Sequence, residues 1–243
     1  MDCENIHLYK GRYVDRVFYI TPLALKLSKS NKIKALKIAD EMEAILSASL
    51  GNMFFVHVTP SALIHVVLSD ECIATWLANL TSLGFEEELE GNNICDAPEL
   101  LSSSPALFTA QYIHARCCSL LRLGEQEGLI KLNEINCNSI SWLNDNQKLR
   151  CDRQASHRLI FELIQMVDWI YCDRSGRDVN WEKAVVSLID AFQSFWSNCR
   201  IWGEVKSTSP ELAQMRIGLV LATKVVCKLL LSGKLGIIAP QSL

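Results

Sequence analysis

STSPELAQMRIGLVLATKVVCKLLLSGKLGIIAPQSL, residues 207–243, decides how this chain is built. Ser209 has the chemistry of an N-cap, because its hydroxyl can accept from a free helix N–H. Pro210 suits the first helical position, where no N–H is needed. The helix is expected to run to about Leu231, with Gly233 and Gly236 as stop signals and Pro240 barring continuation. Leu212, Met215, Ile217, Leu219, Val220, Leu221, Val225, Val226, Leu229 and Leu230 cannot share one narrow stripe. A helix apolar on almost every side belongs inside a bundle. Its few charges are basic: Arg216, Lys224, Lys228 and Lys234.

Composition agrees with a globular protein. The 243 residues are 49% hydrophobic and 21% charged, enough for one large domain or two small ones. The ten cysteines are scattered without a C-x-x-C pair, which argues against a zinc site and for reduced, mostly buried thiols. The polar start, MDCENIHLYKGR, does not read as a signal peptide, so a cytoplasmic, reducing location is expected. Residues 44–69 hold no Asp, Glu, Lys or Arg. Gly51, Asn52, two histidines and Pro60 interrupt them, which excludes a membrane span.

Net charge is −3, but it is unevenly placed. Residues 1–37 carry eight Lys/Arg against three Asp/Glu, residues 38–104 none against eleven, and residues 105–243 sixteen against thirteen. A polyanion could touch the two basic sections while the acidic middle faces elsewhere; the alternative is that these are solvated faces.

Working backward, residues 181–201 and 153–171 read as amphipathic helices, and residues 125–152 as polar and irregular. Ser104 and Pro105 open a further helix. Residues 85–104 (FEEELEGNNICDAPELLSSS) read as an acidic linker. Before it, residues 13–20 read as a strand or an extended lead-in, followed by helices over 23–28 and 33–49. Residues 53–59 and 63–69 read as a β-hairpin around Pro60, and residues 70–83 as a helix ending at Gly84. His57 and His65 face each other across the hairpin in one register and lie on opposite faces if it slips by one residue.

Three segments carry a family resemblance. Residues 111–116, QYIHAR, resemble the Q-Y-A-H-A-R segment that opens the DALR anticodon-binding domain of arginyl-tRNA synthetases, with Ile113 replacing alanine. Residues 190–201, DAFQSFWSNCRI, are similar to the A-F-N-x-F-Y-x-x-C-x-V run of that domain, with Gln193 and Trp196 as departures. The final segment, with R-x-x-L-V-x-A-T, L-G-I and A-P, resembles that domain's end, although the chain ends Q-S-L where the family typically has E-R-M. Residues 15–80 resemble, more loosely, the N-terminal appended domain of the same enzymes.

The resemblance implies a mainly α protein: a small α/β domain with a hairpin (1–84), a linker (85–104) and an antiparallel helical bundle of DALR type (105–243). It also implies tRNA as partner, with an arginine isoacceptor as the candidate species, and no cofactor or metal. By the same token the protein is expected to act without catalysis, as an adaptor for a tRNA-modifying enzyme or a synthetase. A protein-interaction module that has lost tRNA, and an arginine–tRNA ligase component, are the alternatives. Catalytic signatures are not found in the sequence: no H-x-G-H, no phosphate-loop glycines, no G-x-S-x-G and no H-E-x-x-H. Residues 26–30, KLSKS, resemble a KMSKS loop, but they lie near the start within a helical pattern. Candidate RNA contacts are Tyr112, Arg116, Asn198, Arg200, Trp202, Arg216, Lys224 and Lys228. His114, seven residues from both Leu107 and Leu121, reads as a core histidine, and Phe192 and Phe195 as core aromatics.

Overall fold

The computed structural model describes residues 8–11, 16–31, 33–90, 104–132, 140–171 and 179–242. They form two compact units, Met1–Ile73 and Ala74–Leu243.

The first unit is a four-stranded antiparallel sheet with two helices. Its strands are β1 (Tyr9–Lys10), β2 (Phe18–Thr21), β3 (Phe54–Val58) and β4 (Ile64–Leu68), in the order β1-β2-β4-β3. The helices are α1 (Leu23–Asn31) and α2 (Ala35–Leu50). The expected hairpin is β3–β4, and β1 and β2 extend it into a sheet. Alternation sorts the two faces. Val56, Val58, Ile64 and Val66 pack with Ala24, Ile38 and Ala39 of the helices, while Phe55 and His57 are exposed. The turn between β3 and β4 is closed by the amide of Ala62 donating to the carbonyl of Thr59 at 2.9 Å, with Ala62 left-handed at φ 59°. Residues 26–30 lie inside α1.

Helix α3 (Asp70–Glu90) does not stop at Gly84 as expected. A single mid-helix glycine costs only about 1 kcal/mol, and the Glu- and Leu-rich run after it favours helix. The helix therefore continues into the stretch expected as linker, of which residues 91–103 lie outside the described residues.

The second unit is a helical bundle. It is built from α4 (Pro105–Gln126), α5 (Gln154–Tyr171), α6 (Trp181–Asn198), the short α7 (Glu204–Thr208) and α8 (Pro210–Lys228). Packing runs in a ring, α4 against α6, α6 against α5, α5 against α8 and α8 against α4. The expectation for the last helix holds: α8 is buried nearly all round, from Ala213 to Cys227.

Two glycines let neighbours come close. A Cβ on Gly124 of α4 would lie 3.0 Å from Ile217 of α8, and one on Gly218 would lie 2.8 Å from Trp142. Trp142 belongs to the irregular stretch, which makes a tight loop in which the Asn144 carboxamide oxygen accepts from the amides of Asn146 and Lys148, both at 3.0 Å.

Both expected serine caps differ in detail. Neither Ser104 nor Ser209 caps its helix with its hydroxyl. Ser104 instead donates to Glu182 at 3.0 Å, and the Ser209 carbonyl takes the amides of Leu212 and Ala213. The end of α8 also differs. Rather than stopping near Leu231, it widens into a π-helical turn, Leu229–Lys234, that passes through Gly233. Gly236, at φ 64°, then reverses the chain, and the amide of Ile237 donates to the carbonyl of Leu231 at 2.8 Å.

Candidate nucleic-acid interface

The exposed side of α4 carries Phe108 and Tyr112, 43% and 46% exposed, one turn apart. Arg116 follows at the next turn. Its guanidinium donates to the Tyr112 hydroxyl at 3.3 Å and lies 4.8 Å above the ring of Trp196 on α6. Trp202, in the connection after α6, meets Trp196 edge-to-face at 6.1 Å between centroids. Tyr112, Arg116, Trp196 and Trp202 are thus linked in one row, hydroxyl to guanidinium, guanidinium over indole, and indole edge to indole. Such a row offers stacking surfaces for unpaired bases and a charge for phosphate. Trp202 is partly buried, and its indole N–H is itself buried, with no hydrogen-bond partner among the described residues.

The same connection brings in two more candidates. Asn198 is exposed at the end of α6, its carboxamide donating to the Ser194 carbonyl at 2.7 Å, and the Arg200 side chain is exposed just beyond.

Arg216 needs a correction. It was expected as part of a basic edge, but it is 3% exposed. Its guanidinium grips both Asp152 carboxylate oxygens, at 2.7 and 2.8 Å, and also donates to the Arg200 carbonyl. One nitrogen, Nη2, spans the carboxylate while Nη1 takes the carbonyl, and holding two partners at once fixes geometry as well as charge. Arg216 is therefore a strut beneath the Asn198–Trp202 connection, holding up the residues that are exposed.

Lys224 and Lys228 sit one turn apart on α8, both partly buried. The Lys224 charge reaches Cys117 of α4, which places it on the α4 side of the helix. Burial is the first cause pushing the Cys117 and Cys227 thiols up, Cys227 to about 12. Both stay protonated and inert as nucleophiles at neutral pH. The six described cysteines are all free thiols, four of them buried.

The QYIHAR segment divides its labour. Gln111 and His114 are buried, and they face the chain's end rather than solvent. The Gln111 carboxamide donates to the Ile238 carbonyl at 2.8 Å, and His114 Nδ1 meets the Pro240 carbonyl at 2.7 Å. Two turns further on, Arg122 donates to the Gln241 carbonyl at 3.4 Å. Ile113, the departure from the family segment, is 3% exposed, so it changes the core and not the surface.

Trp196, which stands out in the sequence only as a departure from the family run, is the floor of the cluster. Phe192 and Phe195 are indeed core, whereas Trp196, one residue on, is only partly buried. The rotation of about 100° per helical residue was the signal available.

A second feature is a depression of about 460 Å³ lined by Asn144, Arg150, Asp152, Ser209 and Glu211 among others. Its mixed charges suit no single ligand class. Among the described residues no group of three or more His, Cys, Asp or Glu could hold a metal ion, and no helix is long and apolar enough to cross a membrane. In the first unit, His57 and His65 are directly paired across the hairpin, their rings 4.9 Å apart. Burial, and secondarily the His57 charge, lowers the pKa of His65.

The profile of the DALR anticodon binding domain matches residues 110–243. The chain is similar to an arginine–tRNA ligase of Synechococcus sp. (strain JA-3-3Ab), 35% identical over 133 residues, covering 54% of this chain and 21% of the relative. It is also similar to an arginine–tRNA ligase of Ruminiclostridium cellulolyticum (strain ATCC 35319 / DSM 5812 / JCM 6584 / H10), 32% identical over 140 residues, covering 58% of this chain and 22% of the relative. The chain thus spans about a fifth of the length of the curated relatives it matches. No solved structure matches. With the matched profile covering more than half of the chain, and with its two recognisable helices supplying the Arg116–Trp196 contact, the protein belongs to the DALR anticodon-binding domain family.

Proposed function

We propose that this chain binds tRNA without catalysing a reaction on it, as an adaptor that presents tRNA to a modifying enzyme or a synthetase. The observation that carries the reading is the Tyr112–Arg116–Trp196–Trp202 row, set in a DALR domain and flanked by the exposed Arg200. Phosphates would be met by Arg116, Arg200, Lys224 and Lys228, and unstacked anticodon-loop bases by Tyr112, Trp202 and the Asn198 carboxamide. The names of the relatives favour an arginine isoacceptor. The small sheet unit would take the role that the appended domain has in the synthetases it resembles. No cofactor is needed for binding of this kind.

The test is capture of tRNA by the full chain from total RNA, sequencing of what is bound, and a salt titration of one enriched species. Enrichment of tRNA with an inverse salt slope supports the proposal. Bound RNA that is not enriched in tRNA, or affinity flat with salt, sinks it. Charging of tRNA with arginine by this chain would overturn the non-catalytic part.

A second reading is a protein-interaction module that no longer binds tRNA. It draws on the eleven uncompensated acidic residues of 38–104. Salt-independent binding to a partner protein in the absence of RNA would favour it.

A further inference from the structure

The two edges of the sheet are built differently. One edge is β1, two residues long and ending on Lys10. The other is β3, the five residues FFVHV, with no strand beyond it among the described residues. Charges, prolines and short length are the usual means of keeping a sheet edge from pairing with another chain. β1 has short length and a lysine. β3 has none of these, and it lies within residues 44–69, where no Lys, Arg, Asp or Glu occurs.

The backbone of β3 can be read group by group. Thr59 donates to Leu63 at 2.9 Å, and Ser69 donates to Met53 at 3.0 Å. Hydrogen-bonded pairs alternate along an antiparallel ladder, so Phe55 and His57 turn their N–H and C=O toward β4. Phe54, Val56 and Val58 therefore turn theirs to the open edge. That spacing is symmetric about Val56. If a second β3 runs antiparallel with Val56 opposite Val56, Phe54 meets Val58 of the copy, and every outward N–H and C=O finds a partner. On the open face the same register sets Phe55, 59% exposed, opposite His57 of the copy. A neutral strand meets no like charge in its own copy and offers no complement to a charged partner. Below the sheet, α2 packs against β3 and leaves Ile45 64% exposed in its uncharged last two turns.

We propose that the β3 edge pairs with the β3 edge of a second copy about a two-fold axis at Val56, joining two sheets into one and making the protein a dimer. The pairing is isologous and uses each edge once, so it closes at two chains.

The experiment is analytical ultracentrifugation of the full chain over a concentration series, with Phe55→Lys and Phe55→Lys/His57→Glu alongside and circular dichroism as the check on fold. The expected result is a reversible species of twice the 27.3 kDa chain mass. Phe55→Lys should weaken it by about tenfold or more, because both cross-strand aromatic pairs are lost. The double variant should recover much of the loss, since each new lysine then faces a new glutamate of the other copy. A concentration-independent monomer, open-ended assembly, or a dimer indifferent to Phe55→Lys would overturn the proposal. A folded double variant that stays as weak as the single one would overturn the register.

Discussion

The sheet unit and the helical unit solve the same problem at different depths. In the first, a few residues reach full burial, among them Ala24, Ala39 and Ile64, and one face of the sheet still carries exposed Phe55 and His57. In the second, a single helix, α8, has thirteen buried residues and neighbours around most of its circumference. A helix satisfies its own backbone, so a ring of helices can close on itself, whereas a small open sheet always leaves two edges. The bundle is therefore the more deeply packed unit, and the candidate RNA contacts sit on its helix faces or on a connection braced from below. The sheet is the unit with unspent hydrogen-bonding capacity.

The contrast can be broken most directly at its deepest point. Phe195→Ala in the bundle should cost about 3–5 kcal/mol, while Phe55→Ala on the sheet should shift stability of the monomer by about 0.5 kcal/mol or less; urea denaturation followed by circular dichroism measures both. Next comes the brace. Arg216→Met should cost about 2 kcal/mol, less than a fully buried pair because Asp152 is 42% exposed and can rehydrate. Arg216→Lys should not restore it, since one ammonium cannot replace both Nη2, which holds Asp152, and Nη1, which donates to the Arg200 carbonyl. Both variants should also weaken RNA binding through the Arg200–Trp202 connection, although Arg216 itself is out of reach.

Smaller effects are expected on the surface. Arg116→Ala should lower RNA affinity about fivefold, equivalent to about 1 kcal/mol, while changing stability by no more than the ~0.5–1 kcal/mol of an exposed cation–π contact; fluorescence titration and thermal melts separate the two. The smallest effect at neutral pH belongs to Cys227. Its folded pKa is pushed up to about 12, first by burial and then by Cys118. A raised pKa means the folded state holds its proton longer, so stability is full below about pH 9 and falls as pH rises toward 12. Cys227→Ala should flatten that alkaline decline in a pH series of denaturation curves.

Much of the bundle was legible because its signals are local: Pro at first turns, apolar periodicity, and a helix apolar on all sides. The hairpin was legible for the same reason, since β3 and β4 are separated by one short turn. What escaped depends on distant partners. β1 is two residues long and exists only because β2 is beside it. Arg216 read as a surface cation because its acid, Asp152, lies 64 residues away. Trp196 stands out in the sequence only as a departure from the family run, because the arginine above its ring, Arg116, lies on another helix. The family segment marked α4 correctly, but only the fold shows that Gln111 and His114 serve the chain's end while Tyr112 and Arg116 face out.

That division within α4 has a kinetic consequence. The carbonyls of Ile238 and Pro240 are separated by 127 and 126 residues from the side chains that hold them. Loop-closing contacts of this span form late, after the cost of ordering the intervening chain has been met. During synthesis, α4 emerges long before the segment that seals its buried glutamine and histidine. Until residues 237–241 arrive, that polar pocket on α4 lacks its carbonyls. Assembly of the bundle thus includes a clasp of residues 238–240 onto α4. A chain shortened by those few residues should fold to a bundle that opens more readily at α4, and the amides of that helix should report it by faster hydrogen exchange.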